Sequence, residues 1–518
     1  MRKETKSGLG KQILTGALSL SVAAILVKIM GVIYKVPLSY ILGDEGMGYF
    51  NSAYAVYGFF YVLCTAGVPK AVAVLITEAN ESGRGEERAR IFKITLTLFL
   101  YIGLALSLGF IIFSGPLASL VGASRSRAAM LAIAPSVLFT SLSGVMRGYL
   151  NGQNNLFPVA LSQLIEALGK LGLGLAFAYL SAKLGHSLPI CAAFSVLGIT
   201  LGSLFGCLYL YIASKKQNPR EKTRQSSTLS RRKIVKRFLS IAIPISLGSS
   251  VLSLSSVIDL GIIMRGLRAI GYTEEAGAAL FGNYTTLAVP MLNLVSAVLT
   301  PITVAALPTL TSLSLRADSE GFRSTLTDIA RITAAIATPA ALCFLLFPFT
   351  ILDLLFSPGA SVIGAGGLAL LAPATLLLPL LTIVNTAHEA RGSFKIPVIS
   401  LIVGAIVKTV AGSVLIGVSE IGILAAPIGT SLSYLVSLII SVTALRQPML
   451  LRAALLCYLR AIVVGAVAFC LPYIIVFSLD LVPYGRYGMY FVFAISLALY
   501  AIMEYPALKR LKKSRLFC

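Results

Sequence analysis

The chain has 518 residues, 57% of them apolar and only 12% charged, and the charges fall in bursts between apolar runs of bilayer-spanning length, which excludes a soluble globular enzyme. Its net charge of +23 would suit a nucleic-acid binder. However, about thirty of the 43 Lys and Arg collect in alternate segments between the runs, so the excess reads as membrane topology and no nucleic-acid partner is expected.

In chain order the runs predict helices over about 12–42, 50–78, 92–115, 128–149, 158–181, 188–212, 238–268, 280–308, 329–356, 362–389, 395–417, 421–445, 454–479 and 487–507. The first run is far longer than a secretory signal core, so no cleaved leader is expected. The basic segments place both termini in the cytoplasm of a multi-pass protein of the cell membrane. The alternating ten-residue strands of an outer-membrane barrel do not occur, so helices must satisfy the backbone inside lipid. The expectation is an all-α integral membrane protein of about 14 transmembrane helices. The seven cysteines lack metal-type spacing and read as packing residues. With no Trp, tyrosines such as Tyr40, Tyr49, Tyr484 and Tyr490 must form the interfacial belt.

A basic interruption, Lys215 to Arg237, divides the spans. Residues 1–214 form an N-lobe of six spans, 215–237 a basic cytoplasmic linker, 238–446 a C-lobe of six spans, and 447–518 two further helices with a basic tail. A shift of 232 residues aligns Asn51 with Asn283, Pro69 with Pro301, Val72 with Val304, Ala73 with Ala305, Leu75 with Leu307 and Thr77 with Thr309. A second echo pairs Arg147-Gly148 and Pro158 with Arg391-Gly392 and Pro397. Repeats of six spans share one orientation, so the lobes are expected to be pseudo-symmetric about an axis along the membrane normal and to rock around a central cavity.

Charges inside spans are costly and mark candidate sites. Lys28 and Lys35 lie seven residues apart on one face of the first helix, about 10 Å from each other, and can bracket an anionic group such as a diphosphate. Lys70 follows Pro69 inside the second span, and Arg265 stands near the outer end of the seventh. These four are the candidate substrate-binding residues. Glu166 and Lys170, four apart, can pair along one helix face. Asp259 follows a serine-rich face (Ser246, Ser249, Ser250, Ser253, Ser255, Ser256) and is the candidate for coupling to H⁺ or Na⁺. Lys408 and Arg460 have no obvious partner. Asp44 and Glu45, in the outer turn Gly43–Gly48, are candidates for an outer gate closing on Arg265 or Arg268. Arg147, Glu389 and Arg391 end the fourth and tenth spans and are the remaining gate candidates, with His388 beside them; no metal site is expected there. Each has a plainer alternative: snorkelling lysines, a neutral hydrogen-bonded or ion-paired Asp259, and solvated polar clusters at the turns. No catalytic residues and no cofactor are expected, and the lack of a P-loop argues against ATP as the direct energy source.

Lys28-Ile29-Met30-Gly31, Ile41-Leu42-Gly43-Asp44-Glu45-Gly46-Met47-Gly48-Tyr49, Ala66-Gly67-Val68-Pro69 and Ile258-Asp259 together resemble the flippases of the multidrug/oligosaccharidyl-lipid/polysaccharide superfamily. Within it the chain is similar to the group containing stage V sporulation protein B and the MurJ-like lipid II flippases, over essentially its whole length. The resemblance implies outward movement of an undecaprenyl-diphosphate-linked peptidoglycan precursor, with the head group in a cationic cavity and the tail along a groove at the last two helices. It also implies basic positions at Lys28 and near Lys35. The sequence departs at Tyr61 and Thr286, where relatives differ, which implies a rearranged phosphate contact. The eleventh span lacks the acids of the sodium site described for some relatives, leaving Asp259 alone.

The reading is thus a secondary transporter, a flippase of a lipid-linked cell-wall precursor driven by membrane potential, H⁺ or Na⁺, embedded among membrane lipids and functional as a monomer. Export of a teichoic, capsular or spore-wall oligosaccharide precursor is the alternative. A multidrug cation exporter fits less well, because the charged candidates are mostly positive. A membrane glycosyltransferase needs a separated acid and base, and Asp44 and Glu45 are adjacent.

Overall fold

The computed structural model describes residues 2–81, 85–216, 230–356, 358–445, 448–478 and 486–509. Most of the expected linker, Tyr484 and the basic tail after 509 lie outside the described residues. Every regular element among those described is helical. Among the described residues, eleven helices are long and apolar enough to cross a membrane, or 12 when the bent pair Ser124–Ile133 and Pro135–Gly152 counts as one span. The 55-residue run Leu26–Asn80 takes in both the first and second predicted spans. The counts therefore differ from the fourteen predicted runs through this merger and through the seventh run, which lies in one long helix outside that set. Packing divides the chain into two units: Met1–Arg265 with Thr273–Gly282, and Gly266–Tyr272 with Asn283–Cys518.

The first unit contains α1 (Arg2–Thr65), α2 (Val68–Glu81), α3 (Gly85–Ile112), α4 (Ser114–Leu120), α5 (Arg127–Ile133), α6 (Pro135–Gly152), α7 (Phe157–Lys183), α8 (Leu188–Lys216), most of α9 (Arg231–Ala269) and of α10 (Glu274–Asn283). α1 is two helices meeting at Gly43, whose φ of 63° suits a residue without Cβ. The predicted second span is itself broken. α1 stops at Thr65, and α2 resumes with Pro69 as its second residue, where the missing N–H forfeits no helical hydrogen bond. Lys70 therefore begins a helix instead of lying deep within one, and Pro69 marks a break, not a bend. The apolar core gathers Val72 and Ile76 of α2, Phe99 of α3, Tyr149 of α6, Leu210 of α8 and Phe238 of α9. α7 and α8 approach backbone to backbone where Gly169 meets Gly202 and Gly174 meets Gly198, the small-residue packing that replaces the hydrophobic drive inside lipid.

The second unit contains α11 (Val289–Leu315), α12 (Ser319–Leu346), α13 (Pro348–Leu355), α14 (Pro358–Leu370), α15 (Ala372–Ala390), α16 (Lys395–Leu415), α17 (Ala425–Leu445), α18 (Pro448–Ser478) and α19 (Arg486–Lys509). A π-helical turn, Tyr284–Ala288, precedes α11 and carries Thr286. Asp318 caps α12 by accepting from the Gly321 N–H at 2.8 Å. The core packs Leu310 of α11, Ile329 and Ala330 of α12, Leu380 of α15, and Tyr458 and Ala461 of α18. The packing boundary groups α9 with the helices it touches; the sequence repeat groups spans by likeness, and the two divisions are separate properties of the chain.

Candidate functional site

Four titratable side chains of the first unit, Arg147, Glu166, Lys170 and Lys35, lie where α1, α6 and α7 meet. Arg147 of α6 is 7% exposed. Its Nη2 donates to Glu166 Oε1 of α7 at 2.7 Å, and its Nε donates to Ser162 Oγ at 3.2 Å. Glu166 in turn lies over Gly206 of α8, where an added Cβ would stand 2.6 Å from its Cγ. A charge pair this well bonded and enclosed satisfies both ions inside the helix bundle. Tyr61 of α1 stands close enough to interact with both.

The expected pairing of Glu166 with Lys170 does not form. Glu166 is committed to Arg147, and the Lys170 ammonium lies 5.1 Å from the ring centre of Tyr34 and 4.6 Å from that of Tyr54. Two rings around one ammonium fix its position by cation–π attraction without neutralising it. Tyr54 is itself held by Phe50, stacked at 5.9 Å with an interplanar angle of 9°. It heads a two-turn ladder through Tyr57 to Tyr61 at 6.0 and 5.8 Å. Lys35, half-buried, is near enough to Lys170 for the two to repel. The α1–α7 contact thus brings two lysines near each other, one of them boxed by tyrosines. Such a pair attracts an anion with several oxygens and disfavours a cation.

Of the other expected binding residues, Lys28 is exposed one face-repeat before Lys35 on α1, and Lys70 is exposed at the start of α2. Arg265 is exposed on α9, its stem against Gly122. Asp259 is half-buried on α9. The structure joins Lys35 to Lys170 and leaves Lys28 on the same helix; it records no contact that brings Lys70 or Arg265 to them.

At the Gly43 end, Glu45 Oε1 accepts from Tyr49 Oη at 2.7 Å. Arg125 also gathers at this end. Its backbone N–H donates to Glu274 Oε1 at 2.7 Å, its guanidinium pairs with Glu275, and it also reaches Tyr49. In the second unit, His388 Nε2 meets the Ser441 carbonyl at 2.8 Å, Ser441 Oγ donates to Asn385 Oδ1 at 2.9 Å, and Glu389 is half-buried. Arg391 lies over the Phe322 ring at 4.7 Å, and partial burial lowers its pKa. His388 is thus anchored to backbone inside α15 and α17 instead of facing solvent. No group of three or more His, Cys, Asp or Glu able to hold a metal occurs among the described residues.

Sequence reasoning gives Lys170 to Glu166 and misses both its tyrosine box and Arg125. The signal for Lys170 was the tyrosine spacing on α1, whose relevance depends on α7 packing against it. Arg125 lies in a short polar loop that offered none.

Residues 13–314 match the family described as polysaccharide biosynthesis protein. The stage V sporulation protein B of Bacillus subtilis (strain 168) is 25% identical over 298 residues, 57% of each chain. The lipid II flippase MurJ of the same organism is 21% identical over 464 residues, covering 83% of this chain and 82% of that one. Among solved structures, a lipid II flippase MurJ in an inward closed conformation matches with a TM-score of 0.68 at 14% identity, over 95% of this chain and 99% of the other. These likenesses bear out the superfamily and the all-helical membrane fold read from the sequence. With well over half its length matched, the chain belongs to the polysaccharide biosynthesis protein family.

Proposed function

We propose that this protein is a flippase that carries an undecaprenyl-diphosphate-linked cell-wall precursor, lipid II-like, to the outer leaflet by alternating access. The observation that carries the reading is the pair of neighbouring lysines, Lys35 beside the tyrosine-boxed Lys170. A diphosphate offers several oxygens to two such point charges. Membership of the polysaccharide biosynthesis family and likeness to a lipid II flippase support a lipid-linked glycan as cargo. The lobes at 1–214 and 238–446 rock about the cavity, Lys28 extends the cationic track along α1, and Lys70 and Arg265 enter in other states of the cycle. Asp44 and Glu45 act at the outer gate, and Arg147, Glu389 and Arg391 at the inner one. One chain supplies both lobes and works as a monomer, with both termini cytoplasmic, driven by membrane potential or an ion gradient.

The test is outward accessibility of fluorescent lipid II in proteoliposomes, comparing the intact protein with Lys35→Ala/Lys170→Ala and Lys28→Ala variants at matched insertion. Transport by the intact protein that falls at least tenfold in the double variant is the expected result. Intact protein that moves other polyprenyl-linked glycans but not lipid II would redirect the cargo, and transport untouched by the double variant would remove the site.

A further inference from the structure

The last two helices form a second polar seam, remote in sequence from the lysine site. Glu504 of α19 is 3% exposed; among the described residues its Oε2 takes part in no hydrogen bond, and its ion partner, Arg460 Nη2 of α18, stands 3.5 Å away. One and two turns further along the same face of α19, Tyr500 Oη and Ser496 Oγ are also buried without a protein hydrogen-bond partner, as is Thr338 Oγ1 of α12. Thr338 and Tyr500 flank Gly465 of α18, where an added Cβ would lie 3.5 Å from both the Thr338 methyl and the Tyr500 ring and would overlap Leu342 Cδ1.

Buried polar groups without partners are rare one at a time. Four in one seam between three spanning helices, with an acid at its end, have the composition of a path for water and protons. From Glu504 to Ser496 the stripe rises about 12 Å. Beyond it Phe347 packs against both Phe469 and Phe493, and Phe469 packs on Tyr500. The stripe therefore runs from this aromatic cluster toward the end of α18 and α19 that carries the exposed Arg452 and Lys509. The charged and titratable groups facing Glu504 are Asp328 and Arg331 of α12, and Cys457 and Arg460 of α18, with Tyr458 and Tyr500 adjacent. Arg331 is engaged by Asp328 at 3.2 Å, and Tyr458 donates to Thr333 at 3.3 Å. Asp353 of α13 is engaged by Tyr490 at 2.6 Å, toward the other end of α19. Glu504 also feels the Arg331 charge, but its ion pair is with Arg460, whose guanidinium is half-exposed.

We propose that Glu504 is a proton-binding site of the transport cycle, served by the Ser496, Tyr500 and Thr338 seam. The inference rests on the transport reading above. The step is proton binding only: the carboxylate takes H⁺ to become the neutral acid, its new O–H finds an acceptor in the seam, and Arg460 loses its counter-ion. The α18–α19 contact is thereby loosened, which couples the last two helices to the proton gradient.

The test uses full-length protein in proteoliposomes. Infrared difference spectra between mildly acidic and mildly alkaline buffer should show a titrating carboxylic C=O band that disappears in Glu504→Gln and shifts in frequency in Tyr500→Phe. The second variant keeps the acid and the ring, so it reads the site even where Glu504→Gln fails to fold. Lipid transport under a pH gradient at zero voltage should change several-fold in the intact protein and lose that response in Glu504→Gln. A band unchanged by both variants, or equal gradient responses in intact and Glu504→Gln protein, overturns the proposal. A titrating Glu504 band in a protein that moves no lipid under any gradient overturns the transport reading while supporting the proton site.

Discussion

Arg147 and Glu166 form an enclosed ion pair at 2.7 Å across α6 and α7, and the rest of the first unit's chemistry follows from that choice of partner. Removing one partner of a buried pair leaves an uncompensated charge, which costs about 3–5 kcal/mol. Replacing both with apolar residues of similar size is often neutral. Arg147→Met and Glu166→Leu alone should each lower the melting temperature in detergent markedly, and the double variant should recover most of the loss. Losses that simply add would show the pair is not coupled.

Because Glu166 is spoken for, Lys170 depends on Tyr34 and Tyr54. A desolvated cation–π contact is worth up to about 2 kcal/mol and an exposed one about 0.5–1 kcal/mol. Tyr54 is 38% exposed, so the lower range applies. Tyr54→Phe keeps the ring face and should leave binding of a polyprenyl diphosphate close to the intact protein. Tyr54→Leu lets the ammonium wander and should weaken it by about five-fold, read by equilibrium binding in nanodiscs. Equal effects of Phe and Leu would assign the role to the hydroxyl instead.

Much of this was legible in the sequence. Span lengths and charge bursts suffice for an all-helical membrane protein, because the bilayer imposes a length on every crossing. Lys35 was legible for the same reason: a cation inside an apolar run stands out. Lys170 was visible as a charge but was assigned to Glu166, since helical spacing offers the i,i+4 partner and says nothing about a neighbouring helix. The break between Thr65 and Val68 was hidden because Pro69 suits a helix start and a helix bend equally by sequence, and only packing decides. Glu504 was passed over near the chain end, where its burial depends on α12 and α18.

At the other end of the first unit the charges should matter less. Arg125 and Glu275 are 51% and 35% exposed as side chains, and exposed pairs are screened by water and salt. Arg125→Gln should therefore leave the melting temperature nearly unchanged, and raising salt should erase whatever difference remains. A large, salt-resistant loss would mean that this pair is sealed from solvent.

What holds α1 to α10 is contact between backbones. A Cβ on Gly48 would overlap the backbone of Ala278, and one on Gly282 would overlap the Asp44 carbonyl and stand 2.9 Å from Gly48 Cα. Backbone atoms cannot step aside as a flexible side chain does, so Gly48→Ala must push the helices apart, at about 1–3 kcal/mol by analogy with overpacked cores. If the contact belongs to the outer gate, the strain falls on the closed state and populations shift toward the open one. Ser52, one turn further along α1, is 1% exposed and makes a close-volume cysteine probe. In a background lacking the other cysteines, Ser52→Cys should resist a water-soluble maleimide when Gly48 is present and react several-fold faster with Gly48→Ala. Reaction that stays slow while the melting temperature falls would make the Gly48–Gly282 contact a packing seam with no gating role.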